Sequence, residues 1–221
     1  MDAKIIASWV AFLGTLIIAA ISIWQNYLIR KDTKKAENRK RIQTEKLGYE
    51  EKLKKFYIPL RTYLENSKTL YKIFRKNKPQ DFRVLTYLLN PEQLYDGKKV
   101  MLSTSDRAIL DKVFEIGKKI EKLIYESSYL IGDDKEFIQK YIPREEYSHL
   151  PYEKDMTILS LLVSHIIVIR LAYNSKLIDA DWKTFESFVF PNEVNIRVDE
   201  KIDYLKKKTG ECEGKIIVSI G

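Results

Sequence analysis

The N-terminal part of the chain is a long apolar run. Residues 5–29 contain no charged side chain, and most of these 25 positions are apolar. Because a helix rises about 1.5 Å per residue and a bilayer core is about 30 Å thick, about 20 such residues cross a membrane. A cleaved signal peptide is the alternative, but its apolar part is usually about 7 to 15 residues long. The pattern therefore predicts a transmembrane helix within residues 1–29, with Trp9, Trp24 and Tyr27 near its ends.

Beyond residue 46, apolar residues recur mainly three and four positions apart, which is typical of helices with one buried face. The expected fold class is all-α, namely one transmembrane helix followed by a cytosolic helical bundle, with a short C-terminal strand as an additional element. Long helices are predicted over 47–74, with a kink or a new start at Pro59, and over 106–131, with Ser105 as the N-cap. Further predictions are helices over 81–89, 136–142, 181–190 and 199–208, a turn at Asp96-Gly97 and a strand over 215–220.

Residues 156–173 form a second apolar run, and it must also be considered as a possible transmembrane helix. This run contains His165 and Arg170, and ionisable side chains are costly inside a bilayer. In a water-soluble bundle the same residues are tolerated if they find partners. The interpretation that we favour is a buried core helix, with a second transmembrane helix as the alternative.

The positive charge of the chain is concentrated next to the first apolar run. Residues 30–46 hold eight Lys or Arg and three acidic residues, which accounts for +5 of the formal net charge of +8. Basic flanks mark the cytoplasmic side of a membrane helix. The N-terminus is therefore expected outside the cytoplasm, and the residues after the helix are expected inside it. The predicted domains are a transmembrane helix (1–29), a basic juxtamembrane linker helix (30–46) and a cytosolic α-helical domain (47–221). The basic collar consists of Arg30, Lys31, Lys34, Lys35, Arg39, Lys40, Arg41 and Lys46.

Small and polar residues of the first apolar run share one helical face. At 100° per residue they fall within a sector about 140° wide, opposite the large apolar residues. Small residues allow close approach of membrane helices, so this sector is a candidate oligomer face or pore lining, with homodimer packing or an inert anchor as alternatives. The sector contains Ala7, Ser8, Ala11, Gly14, Thr15, Ala19, Ser22 and Gln25.

Catalytic, cofactor and metal chemistry find little support in the sequence. The eight glycines form no phosphate-binding loop motif. His149 follows Glu146 by three positions, but the second Glu-x-x-His motif of helical carboxylate metal sites is missing. Cys212 is the single cysteine, so no intramolecular disulfide is expected. We therefore expect a non-enzymatic protein with no catalytic residue, no cofactor and no metal.

The order of parts, an N-terminal span followed by a basic segment and a helical domain, resembles small transmembrane effectors of bacterial antiphage defence systems. These effectors are Hailong-like or signalled by nucleotides, and the resemblance is one of architecture. It implies a homo-oligomer, such as a tetramer, that forms a gated pore or disrupts the inner membrane under the control of a nucleotide or oligonucleotide. The alternative is a non-conducting, membrane-tethered module that recruits a protein or nucleic acid.

Two groups of cations in the predicted helical domain are candidate contacts for the phosphates of such a ligand. Some of the 14 tyrosines are candidates for stacking on its bases. The alternative for the cations is that they lie on solvated helix faces. The two groups are Lys72, Arg75, Lys76 and Lys78, and Lys118, Lys119 and Lys122.

Overall fold

The computed structural model describes residues 3–132, 134–153, 155–177, 182–185 and 187–218, with side chains from residue 14 onward except that of Trp182. Over these residues the chain is mostly helical, which confirms the helical fold class predicted from the apolar spacing. The long helices are α1 (Ala3–Lys52), α2 (Ile58–Arg75), α4 (Thr104–Ser127), α6 (Ile158–Tyr173) and α7 (Glu193–Val218). The short elements are α3 (Val84–Leu89), β1 (Leu94–Tyr95), β2 (Lys98–Lys99) and α5 (Lys135–Ile138), a π-helical turn (Leu53–Tyr57) and 3₁₀ turns at Ser128–Leu130, Glu145–Tyr147 and Trp182–Phe185.

The chain divides into two compact units. The larger unit is Tyr49–Lys207, and the smaller unit joins Met1–Gly48 with Lys208–Gly221. Helices α1 and α7 therefore contribute residues to both units. The boundary after Gly48 falls close to the expected start of the helical domain at residue 47, but the C-terminal end of the chain groups with the N-terminal helix.

Helix α1 continues into α2 through the π-helical turn. Lys52 and Ile58, on either side of this turn, both have helical backbone angles. Pro59 lies in the first turn of α2, where its nitrogen has no hydrogen to donate to the carbonyl four residues earlier. A π-helical turn is a common way to accommodate such a local break in the hydrogen-bond ladder. The irregularity that the sequence predicts at Pro59 thus takes the form of this turn, in which Phe56 and Tyr57 are fully buried.

The main core of the larger unit is formed by the long helices α2, α4, α6 and the first half of α7 together with the π-helical turn. Helix α4 packs against both α2 and α6. The two helices α4 and α6 meet at Gly117, where an added Cβ atom would lie 2.9 Å from Cγ2 of Ile166. Only a residue without a side chain fits there unless Ile166 moves.

Helix α6 is a core helix, as favoured from its ionisable residues. Ile158, Leu161 and Leu162 are completely buried in the main core. Arg170 near its end forms an ion pair with Glu121 of α4, with 2.7 Å between Nη1 and Oε2. The partner that this cation requires is therefore supplied by the neighbouring helix.

A second, smaller core lies beside the short hairpin. It is formed by Phe74, Phe82, Val84, Tyr95, Val100, Leu110 and Phe114. Strands β1 and β2 pair antiparallel, and both turn residues between them, Asp96 (φ 49°) and Gly97 (φ 71°), have positive φ. Two positive φ values are typical of a type I′ turn, whose twist matches that of a hairpin. The turn predicted at Asp96-Gly97 is present, and the two strands around it were not foreseen.

Several predicted elements differ from the structure. The helix predicted over 136–142 ends at Ile138, and residues 182–185 of the helix predicted over 181–190 form a 3₁₀ turn. Helix α4 is capped by Ser103 rather than Ser105, because Ser103 and Asp106 form a reciprocal capping box. The predicted strand over 215–220 is also wrong for the described residues, since α7 continues as a helix to Val218. A strand needs a neighbour to satisfy its backbone groups, whereas a continued helix satisfies them within itself.

Candidate functional site

The smaller unit exposes a large apolar surface on α1. Nine large apolar side chains between residues 16 and 29 are exposed, including Ile23 at 71% and Trp24 at 63%. The complete set is Leu16, Ile17, Ile18, Ile21, Ile23, Trp24, Tyr27, Leu28 and Ile29. Contiguous apolar surface of this kind usually marks contact with a membrane or with another protein.

Among the helices of the described part of the chain, none is both long and apolar enough to cross a membrane. The predicted transmembrane helix covers residues 1–29, and the side chains of residues 1–13 lie outside those that the structure describes. Three of the predicted face residues, Ala7, Ser8 and Ala11, fall in that part.

The other predicted face residues lie on the exposed surface of α1. Thr15, Ala19, Ser22 and Gln25 are exposed, and Gly14 is partly exposed. The Ser22 hydroxyl donates to the Ile18 carbonyl oxygen at 2.9 Å, so its hydrogen is used within its own helix. Its oxygen retains the capacity to accept a hydrogen bond.

The basic collar lies on the same helix, α1, directly after the apolar surface. Arg30, Lys31, Lys34, Lys35, Lys40 and Arg41 are exposed, and Arg39 is partly exposed. At the end of the collar, Lys46 Nζ lies 2.8 Å from Glu213 Oε1, which joins the last turns of α7 to α1. Ile42 and Cys212 are buried in this unit. The collar is therefore helical and mostly solvated, and an ion pair joins its last residue to α7.

The first group of candidate phosphate contacts separates into structural and exposed cations. The Arg75 guanidinium donates to the backbone carbonyls of Pro79, Gln80 and Phe82 at 2.6–2.9 Å, and this closes the loop after α2. Lys78 forms a largely buried ion pair with Asp106, with 2.7 Å between Nζ and Oδ2. Hydrogen bonds from Lys78 and Ser103 outweigh the effect of burial and lower the pKa of Asp106. Only Lys72 and Lys76 of this group are exposed.

The second group of cations lies along α4. Lys118, Lys119 and Lys122 are all exposed. Lys118 and Lys122 line an open groove of about 490 Å³ together with Glu121, Tyr125, Glu126 and Arg170, which we call the ionic groove. The structure therefore brings two of the predicted contacts together and places Lys119 outside the groove.

A second groove adjoins the ionic groove at Tyr125, which lines both. Its volume is about 640 Å³, and its lining is mainly apolar with four serine or threonine hydroxyl groups. We call it the apolar groove, and it is lined by Ile124, Tyr125, Ser128, Ile131, Phe137, Ile138, Thr157, Leu159, Ser160, Val163, Ser164 and Ile167. Sequence reasoning missed it because α4, α5 and α6 are far apart in the chain.

The strongest buried polar cluster of the larger unit surrounds Glu193, which is 0% exposed. The Tyr141 hydroxyl and the Arg144 backbone N–H donate to Oε2 at 2.8 and 3.1 Å, and Arg197 donates to Oε1 at 2.8 and 2.9 Å. Burial by itself raises the pKa of a carboxyl group, but these bonds outweigh it and lower the pKa of Glu193. The cluster joins the loop after α5 to the start of α7, which is a structural role.

His165 is a partly buried polar residue with a structural role. Its Nδ1 atom lies 2.8 Å from the Phe188 carbonyl oxygen, and its ring packs edge-on against Phe190. Burial lowers the pKa of His165 to about 4, and the bond to Phe188 opposes this shift. The imidazole is therefore neutral at pH 7, and it fixes the chain before α7 against α6.

Among the residues that the structure describes, no group of three or more His, Cys, Asp or Glu side chains is placed to hold a metal ion. Comparison with known proteins found no matching family model, no similar curated protein and no similar solved structure. The functional interpretation therefore rests on the surface of α1 and on the two grooves.

Proposed function

We propose that this protein is a homo-oligomeric inner-membrane effector whose N-terminal helix crosses the membrane. The observation that carries the proposal is the nine exposed apolar side chains of α1, followed without a break by the basic collar. Burying such side chains in hydrocarbon contributes about 25 cal/mol per Å² of apolar surface. The collar then lies among anionic headgroups on the cytoplasmic side, where each cation contributes about 1 kcal/mol.

Liposome flotation of the full-length chain tests the membrane step. The double variant Ile17→Asp/Ile21→Asp places two carboxylates on the exposed apolar surface, and we expect it to stay at the bottom of the gradient while the parent chain floats. Leu47→Asp is the matched control, because Leu47 is also exposed on α1 but lies beyond the collar. Equal flotation of the parent and the double variant would contradict insertion.

The activity that we propose is controlled permeabilisation, with a nucleotide or oligonucleotide as the controlling ligand and antiphage defence as the setting. Support comes from the resemblance in architecture and from the unbroken helical path from α1 through the π-helical turn into α2. A movement in the larger unit can be transmitted along such a path to the membrane helix. Lys72, Lys76 and Lys119 are the candidate ligand contacts outside both grooves, because Arg75 and Lys78 have structural partners.

Ion currents across proteoliposomes test the permeabilisation step. We expect currents that change when cyclic or linear oligonucleotides are added, and a changed conductance for Thr15→Leu if the small face lines the path. Leu28→Ala, on the opposite side of the helix, is the control that should leave the conductance unchanged. An inserted oligomer that carries no current with or without these ligands would contradict a pore.

A non-conducting membrane tether is the second candidate function. The Ser22 hydroxyl bond to Ile18 favours it, since the hydroxyl hydrogen is already used within the helix, as in a simple anchor. Replacement of residues 5–29 by an unrelated apolar helix of equal length separates the two functions. Preserved activity in cells identifies a tether, and lost activity with retained insertion identifies a specific role for the small face.

A further inference from the structure

The ionic groove and the apolar groove are adjacent on the larger unit. Tyr125 of α4 lines both, with its side chain 66% exposed between them. Each groove has a volume within the range of about 300–1,000 Å³ that is common for sites of small organic ligands. The two halves differ in chemistry, and this difference restricts what can bind.

The apolar half has a buried floor and a partly open rim. Ile124, Phe137, Leu159 and Val163 are buried side chains of the floor, whereas Ile138 on the rim is about half exposed. Four hydroxyl groups stand among these apolar residues, from Ser128, Thr157, Ser160 and Ser164. Such a half favours an aliphatic or aromatic group over a charged one, because a charge there would lose its hydration.

The ionic half carries an excess of one positive charge. Arg170 pairs with Glu121 at 2.7 Å, and Lys122 lies 3.8 Å from Glu126. Lys118 adds a third cation to the lining, so three cations face two carboxylates. Lys118 and Lys122 are exposed, and an incoming anion can therefore be met by flexible ammonium groups at little cost.

The apolar half is nearly as long as one acyl chain. Its lining residues on α6 run from Leu159 to Ile167, which is about 12 Å along a helix. A bilayer core of about 30 Å is two acyl chains thick, so a single chain spans about 15 Å.

We propose that this surface binds a single-chain amphiphile with one anionic head group, such as a fatty acid. The acyl chain lies in the apolar half between α4, α5 and α6, and the head group lies among Lys118, Lys122 and Arg170. All these residues belong to the larger unit, so this inference does not depend on whether α1 enters a membrane.

Photo-crosslinking of the full-length chain in a non-ionic amphipol tests this site. The probe is palmitic acid with a diazirine in its chain, and the labelled peptides are identified by mass spectrometry. We expect labels on peptides from residues 118–131 and 156–170. An excess of unlabelled palmitate should remove the labels, whereas methyl palmitate, which has no charge, should leave them. Labels that appear only elsewhere, or that both competitors remove equally, would overturn the proposal.

Two variants act on the two halves separately. Ser164→Trp fills the apolar half, and Lys122→Glu reverses one charge in the ionic half. We expect each to reduce specific labelling about tenfold, which corresponds to about 1.4 kcal/mol of binding free energy. Lys112→Glu is the matched control, since Lys112 is an exposed lysine of α4 outside both grooves, and its labelling should match that of the parent.

Unchanged labelling in Lys122→Glu overturns the assignment of the head group, even if Ser164→Trp fails to fold. A second copy of the chain is the competing occupant of the apolar half. If Ser164→Trp changes the oligomer mass while labelling persists, the surface is an interface between copies and the amphiphile proposal is wrong.

Discussion

The two most apolar helical segments of this protein, residues 14–29 of α1 and residues 158–173 of α6, have similar compositions and opposite surroundings. In α6, eight residues are buried, and its one cation has an acidic partner on α4. In α1, nine large apolar side chains are exposed, and the charged residues follow the run instead of interrupting it. The difference teaches that apolar content alone does not identify a core helix. Charge lies within the run that is buried in α6 and beside the run that is exposed in α1.

The largest expected effect comes from placing a carboxylate in each segment. Leu162→Asp introduces an unpaired charge at a completely buried position of α6, and we expect a loss of at least about 5 kcal/mol of folding free energy, enough to unfold the larger unit. Ile23→Asp, at an exposed position of α1, should change the folding free energy by less than about 0.5 kcal/mol. Urea unfolding followed by circular dichroism measures both. Similar losses in the two variants would break the comparison.

Neutralising a carboxylate should also cost more stability in the larger unit than on α1. Glu193→Gln removes a buried charge that receives bonds from Tyr141, Arg144 and Arg197, and we expect a loss of about 3–5 kcal/mol in urea unfolding. Glu45→Gln removes an exposed charge that lies 4.0 Å from Arg41 on α1, and it should cost less than about 0.5 kcal/mol. A Glu193→Gln chain as stable as the parent is the outcome that contradicts the structural role of the cluster.

The pH dependence of stability should report His165 in the larger unit. Because its pKa falls from 6.5 to about 4 on folding, the unfolded chain binds its proton first. The contribution of a neutral His165 is therefore complete above pH 6.5 and declines as the pH falls towards 4, by up to about 3 kcal/mol. The lowered pKa values of Asp106 and Glu193 act in the same direction at lower pH.

His165→Gln separates these contributions. Stability measured by urea unfolding between pH 7.5 and 4.5 should become nearly flat in the variant above pH 5, while the parent loses stability across the range. If the parent is equally flat, His165 is not held neutral in the fold.

The smallest expected effect compares two serines at helical positions. Ser103→Ala removes the cap of α4, and we expect a loss of about 1 kcal/mol in the unfolding of the larger unit. Ser22→Ala removes a hydroxyl that bonds back to the carbonyl of Ile18 on exposed α1, and it should be neutral within about 0.3 kcal/mol. Ser105→Ala serves as the control on α4 itself. If Ser105→Ala costs more than Ser103→Ala, the cap assignment is wrong.

The helical fold could be predicted because its signal is local. Apolar spacing located α2, α4 and α6, and the Asp96-Gly97 pair located the hairpin turn. The position of the α4 cap was also available in the sequence, since Asp106 follows Ser103 at the capping-box spacing. The predicted C-terminal strand failed because a short β-branched run fits a helix end equally well when the preceding helix continues.

The candidate sites could be predicted only in part, because they depend on residues that are distant in the chain. Arg75 and Lys78 belong to a run of cations in the sequence, and only the folded loop reveals their carbonyl and carboxylate partners. Glu193 has one local signal, Arg197 four residues later, while Tyr141 and Arg144 come from the loop after α5. The two grooves arise from the packing of α4, α5 and α6, which no local pattern encodes.

The close approach at Gly117 restricts which substitutions are tolerated at positions 117 and 166. Since any Cβ at position 117 meets the Ile166 side chain at 2.9 Å, the two positions are not free to vary independently. Alanine at 117 becomes acceptable only together with a smaller residue at 166, and a deep mutational library should recover the two changes as a pair far more often than the alanine alone. Substitutions in α4 and α6 are therefore coupled through this one contact.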